Sequence, residues 1–329
     1  MQRGNEVLLK VVNLKKYFLT KSILAGKKKD FVYAVNGVNL EIFKGEIFGL
    51  VGESGCGKTT TGRMMIGLEE PSEGKIYFDG VDLRDISSKK LRELRMRMHM
   101  IFQDPYASLN PRKTAGSIIE EPLGVHKIGN SSSRKMKVLD LLDLVGLTAE
   151  SLNRYPHEFS GGQRQRIGIA RALAINPDFI VCDEPVSALD VSIQAQILNL
   201  LDDLQKEFSL SLLLIAHDFS VVKHLSHRIA VMYLGKIVEI ADSEEIYNNP
   251  GHPYTQALLS AIPIPDPKKG KHKKRIILEG DIQSKISQLR GCVFKERCPI
   301  ADKICFNIEP KLIKYKNNDS HLVSCLKLG

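Results

Sequence analysis

The chain has 329 residues, enough for one large α/β domain and a smaller appendage. Apolar residues make up 43% and charged residues 26%, as in ordinary globular proteins, and no run approaches the roughly 20 apolar residues of a membrane span. The net charge of +9 comes largely from basic runs at residues 27–29, 89–97 and 268–275. Such runs are usually solvated loops, so the charge does not identify a partner. The N-terminal residues lack the apolar core of a signal peptide, and we therefore expect a cytosolic protein.

The first elements in chain order are strands. Alternation predicts two of them at residues 6–12 and 34–42, separated by a basic loop at residues 20–30. Residues 43–45 make a turn into an apolar run at residues 47–51, and a further short strand is expected at residues 75–78.

A glycine-rich stretch, residues 52–60, follows the apolar run and is called the phosphate loop below. Gly52, Gly57, Lys58 and Thr59 fill every fixed place of the pattern G-x-x-x-x-G-K-[ST]. Glycines let successive N–H groups face a polyphosphate, and the helix that begins at Gly57 adds the positive end of its dipole. Lys58 can reach the β- and γ-phosphates, and the hydroxyl of Thr59 suits Mg²⁺. The predicted nucleotide contacts are Gly52, Glu53, Ser54, Gly55, Cys56, Gly57, Lys58, Thr59 and Thr60.

The remainder of the first 250 residues alternates helices and buried strands. The pattern becomes helical at residue 87, passes through residues 98–111, and is helical again at residues 113–147. A second glycine-containing turn at residues 160–163 opens a helix that stops before Pro177. Apolar runs at residues 179–182, 210–216 and 228–233 predict strands, the first ending in Asp183 and Glu184. A helix is expected at residues 194–207. This alternation predicts a doubly wound α/β core with ligand sites at the carboxyl ends of its strands.

Five motifs in this chain resemble those of the ATP-binding-cassette ATPases and follow the same order along the sequence. The matching stretches are the signature motif at residues 159–163 (with Phe in place of the commoner Leu), the second nucleotide motif at residues 179–184, the glutamine loop at Gln103, the loop at residues 187–190, and the switch histidine His217. The resemblance covers residues 10–240. It implies a phosphate-loop ATPase core, with a parallel sheet, an antiparallel β subdomain and a helical subdomain at about residues 88–165. The expected domains are an ATPase domain at residues 1–250 and a small cysteine-rich C-terminal region at residues 251–329.

The resemblance also implies roles for individual residues. Thr59, Gln103 and Asp183 would hold Mg²⁺, Glu184 would activate the attacking water, and His217 would bond the γ-phosphate, so that Glu184, His217 and Gln103 form the catalytic set. Taken alone, an Asp-Glu pair is more often a helix cap and a lone histidine is usually structural. The predicted contacts to ATP on a facing cassette are Ser160, Gly161, Gly162 and Gln163, with Asp190 in the adjoining loop. Phe18, with Tyr17 beside it, would stack on adenine.

Three further stretches are similar to the oligopeptide and dipeptide importer ATPases, namely residues 102–111, 155–163 and 252–263. The implied assembly contains two membrane permease subunits, a second cassette ATPase and an external peptide-binding protein. The chain would sit peripherally on the cytoplasmic face of the cell membrane. A groove containing Tyr106 and Leu109 would receive a short helix from the permease.

Two alternatives remain at this point. Nickel importers belong to the same subgroup, so a nickel substrate is open. A cassette protein acting on DNA or ribosomes would suit the basic charge, but such proteins usually carry two cassettes or a long coiled-coil insertion. Neither is present, so no nucleic-acid partner is expected.

Six cysteines complete the picture. Cys56 and Cys182 are expected to be ordinary residues at their positions, whereas Cys292, Cys298, Cys305 and Cys325 are clustered, which in a cytosolic chain favours metal over disulfides. Their gaps are wider than the pairs that structural zinc uses. Peptide-importer ATPases resemble this tail and some carry a [4Fe–4S] cluster, so we predict that cluster, in a structural role, with zinc and free thiols as alternatives.

Overall fold

A computed structural model describes residues 6–19, 31–262, 276–278 and 290–328. The basic loop predicted at residues 20–30, and the basic runs at residues 27–29 and 268–275, lie outside these described residues.

Strands and helices alternate along most of the described chain. The strands are β1 (Val7–Leu19), β2 (Phe31–Phe43), β3 (Ile47–Val51), β4 (Glu73–Phe78), β5 (Val81–Asp82), β6 (Met98–Ile101), β7 (Phe179–Asp183), β8 (Ser211–Ala216), β9 (Arg228–Tyr233), β10 (Lys236–Asp242), β11 (Ile313–Tyr315) and β12 (Asn318–Val323). The α-helices are α1 (Lys58–Met65), α2 (Ser88–Arg95), α3 (Pro105–Ser108), α4 (Ala115–Val125), α5 (Ser131–Leu144), α6 (Gly161–Leu173), α7 (Val191–Phe208), α8 (Phe219–Lys223), α9 (Ser243–Asn248), α10 (Pro253–Ser260) and α11 (Lys303–Asn307). Two 3₁₀ turns lie at Ala149–Asn153 and Pro156–Glu158.

The chain forms two compact units. Among the described residues, the first unit comprises Glu6, Phe43–Ile47 and Asp85–Ile215. The second unit comprises the described residues within 7–42, 48–84 and 216–328.

The first unit combines parallel strands with a group of helices. Strand β7 pairs in parallel with β6 on one side and with β8 on the other, in registers that place Phe179 opposite Met98 and Ser211. All residues of β7 are buried, which explains why its sequence is apolar up to the terminal Asp183. Helix α4 packs against α5 and α6, around side chains such as Ile118, Leu142 and Ile167 that are at most 1% exposed.

The second unit contains a four-stranded sheet among its described residues, in the order β2-β1-β4-β5. Strand β1 runs antiparallel to β4, with Leu9 opposite Phe78. A β-bulge interrupts this register after Val12, where Asn13 adopts a left-handed φ of 47°. The bulge breaks the period-two pattern, and for this reason the sequence predicted a strand that ends at residue 12 whereas β1 continues to Leu19.

The other strands of this unit pair side by side, from β3, which precedes the phosphate loop, to β12, which lies near the C-terminus. Strand β3 pairs in parallel with β9, which turns back into the antiparallel β10. Strand β12 then pairs with β10, with Glu239 opposite Val323, and β11 pairs with β12. The sequence did not predict β10, β11 or β12. The C-terminal segment therefore extends a sheet of the second unit.

Candidate active site

The phosphate loop connects β3 to α1 in the second unit. Gly57 precedes α1 with a φ of 108°, which an L side chain rarely adopts, and a Cβ there would lie 2.1 Å from the carbonyl oxygen of Ala34. A Cβ on Gly52 would lie 2.1 Å from the carbonyl oxygen of Met232. These two glycines let the loop curl tightly against β2 and β9, while Ser54 and Gly55 are exposed at its tip. Exposed backbone N–H groups at a helix start form an anion-binding turn.

The ammonium of Lys58 lies inside this curl. Its Nζ donates to the carbonyl oxygens of Gly52 at 2.7 Å and of Glu53 at 3.0 Å, and its side chain is buried. The same Nζ lies 3.9 Å from Sγ of Cys56. Burial raises the pKa of the Cys56 thiol, and nearby Lys58 opposes that rise only in part. The loop thus holds a positive charge beside a neutral thiol.

The first unit brings Gln103 and Glu184 together. Nε2 of Gln103 donates to Oε2 of Glu184 at 2.9 Å, although the two residues are 81 positions apart. Asp183 is the buried last residue of β7. Glu184 follows with a left-handed φ of 43°, and its N–H donates to the carbonyl oxygen of Ile215 at 3.0 Å. A non-glycine residue in this region costs about 1–3 kcal/mol, and such strain concentrates at functional sites.

The predicted signature residues open helix α6 in the same unit. Oγ of Ser160 accepts from the N–H of Gln163 at 3.3 Å, and Oε1 of Gln163 accepts from the N–H of Ser160 at 3.0 Å, which is a capping box. A Cβ on Gly162 would lie 2.5 Å from Cγ2 of Ile193, so α6 begins in close contact with the start of α7. Ser160 and Gly161 are exposed. The exposed start of α6 is a second turn suited to an anion.

Asp190 caps the start of α7. Its Oδ1 accepts from Oγ of Ser192 at 2.7 Å and from the N–H of Ile193 at 3.0 Å. The hydrogen bond from Ser192 is the main reason that the pKa of Asp190 lies below its usual range, and the Ile193 bond adds to it. The predicted Asp190 loop and the signature residues thus meet at one end of α7.

Other predicted residues lie in the second unit. His217 is exposed immediately after β8. The ring of Phe18 is 44% exposed with Nζ of Lys16 at 5.1 Å from its centroid, whereas Tyr17 packs edge-on against Phe31 at 5.3 Å. Phe18 therefore has more free ring surface than Tyr17 for stacking.

Tyr106 and Leu109 differ sharply in exposure. Tyr106 is 60% exposed, with the guanidinium carbon of Arg164 5.1 Å from its ring centroid, but Leu109 is only 2% exposed. Leu109 is a core residue, so the predicted groove rests on Tyr106.

The four C-terminal cysteines lie in one neighbourhood of the second unit. Burial raises the pKa of Cys292 to about 11, and the three other thiols add to this rise. Within residues 6–19, 31–262, 276–278 and 290–328, however, no group of three or more His, Cys, Asp or Glu side chains is arranged to hold a metal ion. The geometry therefore does not support the predicted iron–sulfur cluster, which stays a prediction.

Two supports of the phosphate loop were not predicted from the sequence. Arg297 forms an ion pair with Glu53, and the hydroxyl of Tyr254 accepts from the N–H of Glu53 at 2.9 Å. The sequence shows only that Tyr254 and Arg297 fall in the C-terminal segment and that Arg297 precedes Cys298. Neither observation points to Glu53.

Comparison with known proteins finds two family models. Residues 35–187 match the model described as "ABC transporter", and residues 238–305 match the "Oligopeptide/dipeptide transporter, C-terminal region". The oligopeptide transport ATP-binding protein AppF of Bacillus subtilis is 52% identical over 98% of this chain and 98% of its own length. OppF of Escherichia coli, also named an oligopeptide transport ATP-binding protein, is 50% identical over 99% of this chain and 97% of its own.

Solved structures share the fold. The dimeric ATP-binding cassette MJ0796, in a post-hydrolysis state bound to ADP and Pi, matches 71% of this chain and 98% of its own, with 31% identity and a TM-score of 0.63. The cbiO1 subunit of the cbiONQ transporter from Clostridium perfringens matches 74% of this chain and 92% of its own, with 26% identity and a TM-score of 0.64. None of the helices in the described part of the chain is long and apolar enough to cross a membrane.

Proposed function

The chain belongs to the ATP-binding-cassette transporter family, in its branch of oligopeptide transport ATP-binding proteins, and from this membership we propose that it powers peptide import through a membrane transporter. The observation that carries the proposal is the match over nearly the whole chain, including the C-terminal region that names the peptide-transporter branch. Hydrolysis of ATP is the activity of the family.

The chemistry proposed for the first unit centres on Glu184. Its carboxylate would orient the attacking water and accept a proton from it. The bond from Gln103 holds that carboxylate in one position, and the strained backbone of Glu184 aims it from the end of β7. Gln103 therefore positions the base as well as being a proposed oxygen ligand.

The chemistry proposed for the second unit is phosphate binding. The loop from Gly52 to Thr60 would wrap the phosphates with backbone N–H groups other than that of Glu53, which donates to Tyr254. Lys58 would exchange its bonds to loop carbonyls for phosphate oxygens. His217 would bond the γ-phosphate, and Phe18, with Tyr17 next to it, would contact adenine. These assignments follow the family motifs at the matching positions.

Magnesium fits the oxygen-rich donor set of the motifs, since a hydroxyl, a carboxylate and an amide oxygen are ligands that a hard cation prefers. Thr59, Gln103 and Asp183 are the residues proposed to hold it. When bound, the ion neutralises charge that develops on the phosphate oxygens.

The proposed assembly is a pair of cassettes beneath two permease subunits, with a peptide-binding protein on the far side of the membrane. The exposed start of α6 supports the pairing, because Ser160 and Gly161 lie exposed at the N-terminal end of a helix, where an anion is favoured. In the proposal, Ser160 to Gln163 contact ATP held by the facing cassette, and Asp190 lies at the same interface. The chain would then lie on the cytoplasmic face of the membrane.

A [4Fe–4S] cluster on Cys292, Cys298, Cys305 and Cys325 is kept as a proposal that rests on the family resemblance. Cys298, Cys305 and Cys325 each raise the pKa of Cys292, which supports their lying close together. The described residues, however, contain no group of three or more side chains arranged to hold a metal ion. Iron and sulfide analysis of anaerobically purified protein tests it, with about four of each per chain expected. Absence of both removes the cluster.

The transport assignment is tested by isolating the tagged chain from membranes in mild detergent. We expect two permease subunits to co-purify and ATPase activity to rise when peptide-loaded binding protein is added. Stimulation only by a nickel-loaded binding protein would replace peptide with nickel. Recovery only with nucleic acid or ribosomes would overturn transport and leave the ATPase standing.

A further inference from the structure

The C-terminal segment holds Glu53, the second residue of the phosphate loop, by its carboxylate. Nη1 of Arg297 donates to Oε2 of Glu53 at 2.7 Å, and Nη2 donates to Oε1 at 3.1 Å. The side chains are only 10% and 24% exposed. A bidentate, charge-assisted and largely buried pair is the strongest kind of side-chain hydrogen bonding in proteins.

The same segment holds Glu53 by its backbone. The N–H of Glu53 donates to the hydroxyl of Tyr254 at 2.9 Å, and Tyr254 is fully buried. Its ring packs 4.7 Å from Tyr233 and 5.4 Å from Phe294, measured between centroids. Phe294 lies three residues before Arg297, so one aromatic cluster supports both contacts to Glu53.

These contacts surround the peptide group that Lys58 also uses. The carbonyl oxygen of Glu53 accepts from Nζ of Lys58 at 3.0 Å, while its N–H and carboxylate are held by Tyr254 and Arg297. A phosphate loop binds through the directions of its backbone N–H groups, and fixing those directions beforehand lowers the ordering cost of binding.

We infer that Arg297 is a positioning residue that preorganises the phosphate loop for ATP, so that the C-terminal segment sets nucleotide affinity. The inference rests on ATP binding by the cassette and is independent of the transported substrate.

A second ion pair provides a matched control. Lys236 of β10 pairs with Glu309, an ion pair that also fastens the C-terminal residues to a strand but includes no residue of the phosphate loop. If Arg297 only fastened the segment, then Arg297→Gln and Lys236→Gln would have similar effects on folding stability and none on nucleotide affinity.

The experiment measures binding of a fluorescent ATP analogue, mant-ATP, and steady-state ATPase activity in the purified full chain. For Arg297→Gln we expect a Kd about tenfold higher, a KM for ATP raised by a similar factor, and a kcat within about twofold. Lys236→Gln should leave all three unchanged. Arg297→Lys, which keeps the charge but loses the fork, should lie between Arg297→Gln and the unchanged chain.

Two further variants keep the inference testable if Arg297→Gln is unstable. Tyr254→Phe removes only the hydroxyl and should raise Kd by a smaller factor. The double variant Glu53→Gln/Arg297→Gln should have a Kd no higher than that of whichever single variant binds mant-ATP more weakly. The reason is that each single change already breaks the same ion pair. Unchanged Kd in Arg297→Gln, or additive losses in the double variant, would overturn the inference. Failure of the unaltered chain to bind mant-ATP would instead count against the ATPase assignment.

Discussion

At the scale of single residues, the carboxylate of Glu184 can be tested without disturbing its surroundings. In Glu184→Gln the remaining amide oxygen can still accept the 2.9 Å hydrogen bond from Gln103, so the change removes basicity and little else. We expect ATP hydrolysis to slow by about 10²- to 10⁴-fold, the usual contribution of a positioned base, with ATP binding retained. Phosphate release and mant-ATP binding measure the two effects. Glu207→Gln, an exposed change on α7, is the control, and near-normal turnover in Glu184→Gln would remove Glu184 from its role.

A second residue-scale prediction concerns His252, which is buried beside Glu239. Nδ1 of His252 accepts from the backbone N–H of Tyr254 at 3.1 Å, and the backbone N–H of His252 donates to Oε2 of Glu239 at 2.9 Å. Burial lowers the pKa of His252 to about 4, and Glu239 opposes this only in part. His99, which is half-buried, also has its pKa lowered to about 4, mainly by desolvation and further by the nearby charge of Arg171.

The sign of the pH effect follows from that lowered pKa. The unfolded chain binds a proton at each of these histidines near pH 6.5, but the folded chain does not until about pH 4. Stability is therefore full above pH 6.5 and falls between pH 6.5 and 4, by up to about 1.4 kcal/mol per pH unit for each histidine. Urea unfolding across this range should show a shallower fall in His252→Asn, which keeps a side-chain acceptor for the α10 cap. Exposed His157→Asn is the control, and equal slopes in both variants would contradict the prediction.

At the scale of elements, α6 and α7 pack so closely at Gly162 that there is no room for an added methyl group. Gly162→Ala would place Cβ 2.5 Å from Cγ2 of Ile193, so the Ile193 side chain or one of the two helices must shift, at a cost of about 1–3 kcal/mol. We expect a lower melting temperature and reduced ATPase activity, because the exposed signature turn moves with α6. Ile193→Ala in the same chain removes the clash and should restore much of both. A double variant no better than Gly162→Ala would show that the glycine serves another purpose.

Elements with a strong local pattern were the ones that the sequence predicted well. Strands β3, β7, β8 and β9 are apolar apart from a residue at one end of some of them, and their bounds agree with the predictions within one or two residues. Strand β10 was missed because its centre carries Glu239, a charged residue that is fully buried. Glu239 is satisfied by the N–H groups of Gly251 and His252 and by Nε2 of His321. These partners come from elsewhere in the chain, so no local pattern marks them.

The candidate site shows the same limit. The phosphate loop, Gln103 and Glu184 were each predicted as parts of the site, because each residue type has a chemical role at a fixed place in a motif. The hydrogen bond between Gln103 and Glu184 was not predicted. The pairing of Arg297 with Glu53 was not predicted, since 244 positions separate them and neither belongs to a shared pattern. Contacts of this kind depend on tertiary packing, which carries no local sequence signal.

At the scale of the whole molecule, coupling to a permease depends on exposed side chains that do not pack into the core of this chain. Tyr106, in α3, is 60% exposed and lies three residues after Gln103 in the sequence. In vesicles containing the assembled transporter, Tyr106→Ala should lose most peptide uptake while retaining most ATP hydrolysis. Met136→Ala, on an equally exposed part of α5, is the control. Equal loss of uptake and hydrolysis in Tyr106→Ala would count against a coupling role.

The distance along the chain between Glu53 and Arg297 also has a consequence for biosynthesis. Ribosomes add about 5–20 residues per second, so the 244 positions between these two residues take about 12–50 s to translate. During that interval the nascent chain carries a complete phosphate loop without its C-terminal support. The loop therefore reaches its final rigidity only when the last part of the polypeptide has been made, and a prematurely terminated chain would compete poorly for cellular ATP.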